Sequence, residues 1–171
     1  MELDLGRCTV RSWRWGDRES IVAQANDREV WINLRDRFPH PYTMADAEGW
    51  LRLVCGIAPE AQFAIAVDDA AVGGIGIIAQ DDVYRRSAEI GYWLGRAYWG
   101  RGLATLAVAA VTEYAFATFD LCRLFASVFE WNPASMRVLE KAGYTFEGRM
   151  RRSVTKDGRT IDQFLYAITR G

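Results

Sequence analysis

The strongest constraint on the fold is a glycine-bearing loop between a strand-like segment and a long helical pattern. The loop reads Gly-Arg-Ala-Tyr-Trp-Gly-Arg-Gly-Leu-Ala-Thr over residues 95–105 and follows the alternating run 89–94. Apolar residues recur at helical spacing from Leu103 onward. Free backbone N–H groups at the start of a helix bind anions such as phosphate. The loop has neither GxGxxG nor a closing Lys-Ser/Thr, so it predicts a phosphate-bearing ligand on a fold other than the two common nucleotide-binding ones.

The remaining pattern predicts one α/β domain with a mixed, mostly antiparallel central sheet and helices on both faces. A length of 171 residues fits a single domain with a well-buried core. Strands are predicted over 3–13, 63–67, 71–79, 86–94, 124–128, 144–154 and 160–169. Helices are predicted over 18–26, 29–35, 43–54, from 103 onward, and from 133 to Gly143. Their expected caps are Asp17, the Thr43/Asp46 capping box, and Asn132 followed by Pro133.

Charge and cysteine content exclude several classes of function. The net charge of −1 gives no reason to expect nucleic acid or an anionic membrane as a partner. Three widely spaced cysteines, Cys8, Cys55 and Cys122, indicate reduced thiols in a cytoplasmic protein. With one histidine, His40, and no CxxC, we expect no metal site. No signal-peptide core and no membrane-spanning apolar run is present in the sequence.

Five segments, in this order and spacing, resemble the GNAT family of N-acetyltransferases and, within it, the Rim-type group of ribosomal-protein N-terminal acetyltransferases. They are residues 31–36, 38–42, 89–94, 98–105 and 132–144. The resemblance covers essentially the whole chain, residues 1–171. It implies one N-acetyltransferase domain, acetyl-CoA as co-substrate and a primary amine as acceptor. Two positions depart from the family pattern: Trp99 replaces the usual Gln or Arg of the cofactor loop, and Leu139 replaces the usual tyrosine acid.

The resemblance implies which residues bind the cofactor. The diphosphate of CoA is expected at the loop and helix start, formed by Trp99, Gly100, Arg101, Gly102, Leu103, Ala104 and Thr105. The amides of the pantetheine arm are expected to pair with the strand edge formed by Tyr92, Trp93 and Leu94, where the N–H of Leu94 is a candidate oxyanion donor. Asn132 is expected to cap its helix and, compatibly, to bond the pantetheine.

Amine acetylation also needs a base and a donor for the leaving thiolate. A primary amine has a pKa of about 10.4, so a general base must remove its proton. Glu89, charged within an apolar strand, is the first candidate, and a salt bridge with Arg85 or Arg86 or simple exposure is the alternative. Glu147 is the second candidate base. Ser135 resembles the thiolate donor of the Rim-type group, with a bond to the backbone near Asn132 as the alternative.

The acceptor pocket is the least constrained part of the site. Its expected residues are Phe38, His40, Tyr42, Trp50 and Glu147, and core packing is the alternative for the aromatic ones. Three acceptors remain open: a protein N-terminus, a polyamine or aminoglycoside, and an amino acid or other small metabolite. A non-catalytic acyl-CoA-binding module is the alternative of a different class, and a homodimer is the alternative to a monomer.

Overall fold

The computed structural model describes residues 1–171 as an eight-stranded sheet with five α-helices. The strands are β1 (Glu2–Asp4), β2 (Thr9–Ser12), β3 (Gln62–Val67), β4 (Ala70–Ala79), β5 (Ser87–Leu94), β6 (Arg123–Phe129), β7 (Thr145–Lys156) and β8 (Arg159–Thr169). The helices are α1 (Arg18–Ala25), α2 (Arg28–Trp31), α3 (Met44–Val54), α4 (Leu103–Thr118) and α5 (Pro133–Lys141).

The sheet has the order β1-β2-β3-β4-β5-β6-β8-β7. Every neighbouring pair is antiparallel except β5 and β6. A parallel pair needs a crossover connection, and here α4 provides it. The predicted mixed, mostly antiparallel sheet is therefore confirmed.

Two apolar clusters cover the two faces of this sheet. On one face, Ile75 and Ile77 of β4 pack with Val108 of α4 and Leu139 of α5. On the other, Ala71 of β4 belongs to a smaller cluster, which also contains residues of α1 and α3. Along β3, Phe63 and Ile65 enter the first cluster and Ala64 between them enters the second, as the two-residue period of a strand requires. The predicted placement of helices on both faces is confirmed.

The predicted first strand is a hairpin instead of one strand. Residues 5–8 turn the chain between β1 and β2, and the N–H of Leu5 donates to the carbonyl of Cys8 at 2.9 Å. Gly6 has a φ of +75°, a conformation that glycine adopts at little cost. The prediction of a continuous strand over 3–13 was wrong because the alternation of residue types continues through this turn.

The predicted helix over 29–35 is also shorter than expected, since α2 ends at Trp31. The Asp27 side chain caps it by accepting from the N–H of Glu29 at 2.8 Å. The following residues form tight turns, in which the N–H of Leu34 donates to the carbonyl of Trp31 at 3.0 Å. This segment leads into the loop that closes one side of the functional cleft.

The segment between α2 and α3 is attached to the β7–β8 hairpin by a buried lysine. The Nζ of Lys156 lies 3.6 Å from the centroid of the Trp31 ring and 2.8 Å from Oδ1 of Asp36. Lys156 is 1% exposed, so its ammonium contacts the indole with little competing water. Arg28 adds a bond to Asp157 at 2.6 Å. The loop following α2 is therefore held against the hairpin.

Asp17 does not use its side chain to cap α1, in contrast to the prediction. Its carboxylate accepts two hydrogen bonds from the guanidinium of Arg11, at 2.8 and 2.9 Å. Both residues are buried, at 5% and 2% exposure. Leaving a buried guanidinium without a carboxylate destabilises the fold far more than leaving a helix start without a side-chain cap. Asp17 therefore pairs with Arg11 instead of capping α1. The caps predicted at Thr43/Asp46 and at Asn132 are confirmed.

The feature that creates the functional cleft is the separation of β5 from β6. The two strands pair only through residues 87–89 and 123–125. Beyond these residues, β5 continues beside β4, and β6 continues beside β8. A wedge therefore opens in the middle of the sheet, with an unpaired strand edge on each side.

Candidate active site

The wedge between β5 and β6 forms a cleft of about 1350 Å³. The start of α4, one side of α5 and the segment around α2 and α3 complete its walls. The cofactor residues expected from the sequence that line it are Tyr92, Trp93, Leu94, Trp99, Gly100, Gly102, Leu103, Ala104, Thr105, Asn132 and Ser135. The expected catalytic and acceptor residues that line it are Glu89, Phe38, Tyr42 and Trp50.

One end of the cleft presents a row of unpaired backbone donors. The N–H groups of residues 100–105 donate to no backbone carbonyl, and the first bond of the helical ladder runs from the N–H of Leu106 to the carbonyl of Gly102 at 3.2 Å. Gly100 and Gly102 have φ values of +71° and +76°, which turn this stretch into α4. Unpaired donors at the positive end of a helix dipole suit an anion such as a diphosphate.

The exposed edge of β5 presents donors along the next part of the cleft. The N–H of Gly95 donates to the carbonyl of Val72 in β4 at 2.8 Å. Because successive residues of a strand point their N–H groups to alternate sides, the N–H of Leu94 points away from β4 into the wedge. The carbonyl of Leu94 accepts from the indole Nε1 of Trp99 at 2.9 Å. Trp99 thus fixes the glycine loop against the strand end.

Glu89 lies where β5 and β6 part. It is the last residue of β5 paired with β6, opposite Phe125. Its Oε1 accepts from the guanidinium of Arg35 at 2.5 Å, and its Oε2 accepts no hydrogen bond from the protein. The expected partners, Arg85 and Arg86, are not used. One carboxylate oxygen is therefore available to a ligand in the cleft.

Ser135 faces the same cleft from the first turn of α5. Its backbone N–H donates to Oδ1 of Asn132 at 3.2 Å, which leaves its hydroxyl free for another partner. That partner is the hydroxyl of Tyr92, with 2.7 Å between the two oxygens. Burial raises the pKa of Tyr92, so its hydroxyl stays protonated at neutral pH and can donate. The serine hydroxyl is thus held at the unpaired edge of β5.

Family membership follows from comparison with known proteins. A family model described as an acetyltransferase (GNAT) domain matches residues 7–145. The chain belongs to the GNAT family. It is accordingly an N-acetyltransferase with acetyl-CoA as its co-substrate, and the resemblance inferred from the sequence is confirmed.

Individual proteins are similar to this chain in sequence or in fold. The uncharacterized N-acetyltransferase p20 of Bacillus licheniformis is 30% identical over 170 residues, covering 95% of this chain and 92% of the relative. The probable N-acetyltransferase YjcK of Bacillus subtilis (strain 168) is 40% identical over 103 residues, covering 60% of this chain and 57% of the relative. The solved structure of RimL, a ribosomal L7/L12 alpha-N-protein acetyltransferase in complex with coenzyme A, superposes with a TM-score of 0.85 at 17% identity, covering 99% and 98% of the two chains. This last likeness shows the fold.

Two residues expected at the GNAT site from the sequence lie outside the cleft lining. The guanidinium of Arg101 stacks over the ring of Tyr98, 5.2 Å from its centroid. His40 is exposed and its ring lies 5.8 Å from that of Trp31. Gly100 and Gly102 beside Arg101, and Pro39 beside His40, do line the cleft.

Glu147 is also placed away from the cleft lining. It lies on β7, where Arg123 of β6 donates to both of its oxygens, at 2.8 and 2.5 Å. These hydrogen bonds lower the pKa of the Glu147 carboxyl below its ordinary value. The two carboxylates considered as bases are therefore in different surroundings, and Glu89 is the one that opens onto the cleft.

Several cleft-lining residues were not singled out in the sequence. They include Arg35, the β6 residues Ser127, Val128 and Phe129, and the α5 cations Arg137 and Lys141. The two cations are four residues apart on one helix, and their placement on one face was predictable from the sequence. The ion pair of Arg35 with Glu89 was not, because 54 residues separate the partners.

No group of three or more His, Cys, Asp or Glu side chains is arranged to hold a metal ion. None of the helices combines the length and apolar character needed to cross a bilayer.

Proposed function

We propose that this GNAT enzyme acetylates a primary amine, carried by a protein N-terminus or by a small molecule, through direct attack of the amine on the thioester. The observation that carries the proposal is the position of three groups along β5, from the point where it parts from β6 to its end. Glu89 offers a free carboxylate oxygen at its beginning, the N–H of Leu94 points into the wedge at its end, and Tyr92 between them holds the hydroxyl of Ser135.

The cleft fits acetyl-CoA in its donors and its charges. The unpaired N–H groups of residues 100–105 would bind the diphosphate. The β5 edge would pair with the amides of the pantetheine arm, and Arg137 and Lys141, which have no acidic partner, would add positive charge at the α5 wall. When bound, acetyl-CoA supplies an activated acetyl group as a thioester.

Glu89 would then remove the proton from the amine. Arg35 fixes one oxygen of the carboxylate, so the free Oε2 is the proton acceptor, directly or through one water. A neutral amine is the nucleophile, and at neutral pH its concentration is limited by a pKa of about 10.4. The base therefore assists the loss of the amine proton, which the unassisted amine undergoes poorly at neutral pH.

The other groups would stabilise charge as it moves from amine to sulfur. The N–H of Leu94 would donate to the carbonyl oxygen as that oxygen becomes negative. The hydroxyl proton of Tyr92 can go to the hydroxyl oxygen of Ser135 at 2.7 Å or to its backbone carbonyl at 3.2 Å. In the first arrangement the serine proton would be free to bond the departing sulfur. A thiol pKa of about 8.5 makes the thiolate a tolerable leaving group, so one hydrogen-bond donor is sufficient.

Ser135→Ala should lower kcat by a factor of about 10 to 10², because a hydrogen bond to a charged partner contributes roughly 1.5–3 kcal/mol. The affinity for acetyl-CoA should change little. Tyr92→Phe should lower kcat less, and the double variant should be no slower than Ser135→Ala alone, since Tyr92 acts through the serine. Single-turnover kinetics with calorimetry would measure both quantities. Additive losses would contradict a role of Tyr92 through Ser135.

Gly102→Asp should weaken acetyl-CoA binding by about 10- to 10²-fold, because it brings a negative charge to the donors that receive the diphosphate. Gly102→Asn is the matched control, since asparagine has the same shape and tolerates a positive φ but is neutral. There is space for either side chain, as the nearest atom to the new Cβ is Nη1 of Arg7 at 3.6 Å, and both variants share the strain of a positive φ. Calorimetry should show the larger loss for Asp. Equal affinities in both variants would place the diphosphate elsewhere.

Thiol release from acetyl-CoA with defined amines tests the proposed function itself. The panel would contain n-butylamine, alaninamide, spermidine and a tripeptide with a free N-terminus. Amine-dependent release with at least one member, together with the N-acetylated product by mass spectrometry, is the expected result. Tight binding of acetyl-CoA without release for any amine would favour the acyl-CoA-binding alternative.

A further inference from the structure

Gly91 lies in the middle of β5, where no neighbouring protein atom requires a glycine. A Cβ added at Gly91 would meet no atom within 4 Å, and its φ is outside the positive range that favours glycine. It is exposed although β5 is a central strand, because β6 has already turned away. Glycine in a strand interior is unfavourable and often marks a close approach by a ligand or another backbone.

The neighbouring glycines of β4 differ in this respect. A Cβ at Gly74 would stand 2.7 Å from Nε1 of Trp93, and one at Gly76 would overlap the carboxamide of Gln62. The missing side chains of Gly74 and Gly76 are thus replaced by side chains of the protein. Gly91 pairs directly with Gly76, yet the space above it is open to the cleft.

The face of β5 on which Gly91 lies indicates which ligand occupies this space. Gly91 shares its face with Glu89 and Trp93, and the ring of Trp93 lies 5.4 Å from that of Phe38 in the loop following α2. The opposite face carries Tyr92, whose hydroxyl meets Ser135. The strand therefore separates an amine side with the carboxylate from a thiol side with the serine, and Gly91 opens to the amine side.

We propose that Gly91 determines acceptor specificity, because the carbon atoms next to the reacting amine lie against its bare backbone between Glu89 and Trp93. This inference rests on the proposed function, since it takes Glu89 as the base. An added methyl group at Gly91 would occupy the acceptor's space and leave acetyl-CoA unaffected. Its effect would increase with the bulk at the amine's α-carbon.

The test compares the wild-type protein with Gly91→Ala by using CoA and two conjugates. In the conjugates, the CoA sulfur is joined through an acetyl bridge to n-butylamine or to alaninamide, which is branched at the α-carbon. Calorimetry should give unchanged affinity for CoA, a loss of about threefold for the butylamine conjugate and about tenfold or more for the alaninamide conjugate, the usual effect of one misplaced methyl group.

Gly148→Ala in β7 is the matched control, because a Cβ there also meets nothing within 4 Å and Gly148 lies outside the cleft lining. It should change none of the three affinities, and both variants should melt at or above the wild-type temperature. Equal losses for CoA and both conjugates in Gly91→Ala would assign the space to the pantetheine and overturn the proposal, as would unchanged affinity for all three.

A separate measurement distinguishes failure of the proposed function from failure of this inference. Wild-type thiol release with free n-butylamine and alaninamide tests catalysis, while the conjugate affinities test Gly91 without any turnover. If the wild-type protein released no thiol and Gly91→Ala still lost affinity for the two conjugates as expected, the proposed function would be overturned and the role of Gly91 in binding the acceptor part would be supported.

Discussion

Glu89→Gln should lower kcat for amine acetylation by about 10²- to 10³-fold, the usual contribution of a general base. The substitution keeps an oxygen for the guanidinium of Arg35, so the loop that carries Arg35 should stay in place. It removes the ability of the free Oε2 to accept a proton. Acetyl-CoA affinity should be unchanged, because Glu89 lies far along β5 from the diphosphate donors of residues 100–105.

The pH dependence distinguishes a base from a structural carboxylate. The acid limb of the profile of kcat/KM, which reports protonation of the base, should disappear in Glu89→Gln. Glu147→Gln is the matched control, since it removes a carboxylate that is bonded to Arg123 outside the cleft. If Glu147→Gln were the slow variant and Glu89→Gln retained the acid limb, the base would be Glu147.

Local signals were sufficient to predict the elements around the cleft. The glycines of the loop before α4 and the caps at Thr43 and Asn132 act over a few residues, so the sequence reveals them directly. Glu89 was visible for a similar reason, as a charge within an apolar strand. For the glycine loop and the two caps, the deciding interaction lies within the segment that carries the signal.

Interactions between distant segments were not predictable in this way. Asp17 has the sequence signature of an N-cap, but the guanidinium of Arg11 uses its carboxylate. Arg35 reaches Glu89 from the loop following α2, where the neighbouring Asp36 contacts Lys156 of β7. The space above Gly91 exists because β6 turns away from β5, and no residue of β5 encodes that separation.

The placement of the proposed catalytic groups on two faces of β5 follows from the geometry of a strand. Neighbouring residues of a strand face opposite sides, so the proposed base Glu89 and the serine-holding Tyr92, three residues apart, lie on different faces of β5. The unpaired N–H groups of that edge lie between them. In the proposed mechanism, a split sheet would thus bring a proton acceptor, a backbone donor and a hydroxyl donor to one thioester.

Asp17→Ala should destabilise the fold by about 3–5 kcal/mol, because it leaves the guanidinium of Arg11 buried without its carboxylate. Arg11 would keep bonds to the carbonyls of Asp69 and Ser12, but these are neutral acceptors. For a chain of this length, the loss corresponds to a decrease in Tm of about 10 °C or more. Calorimetric or denaturant unfolding would measure it.

Three further variants separate charge from packing at this pair. Asp17→Asn should cost less than Asp17→Ala, since the amide retains one acceptor for Arg11. Asp69→Asn, which keeps a residue that tolerates the φ of +66° at this position, should cost about 0–1 kcal/mol, because the Asp69 carboxylate is 75% exposed and water screens its attraction to Arg11 at 3.5 Å. Arg11→Met combined with Asp17→Leu should recover most of the lost stability, since an apolar pair needs no desolvation of charge. A double variant as unstable as Asp17→Ala would mean that the shape of the pair, rather than its charge, holds β2 against the start of α1.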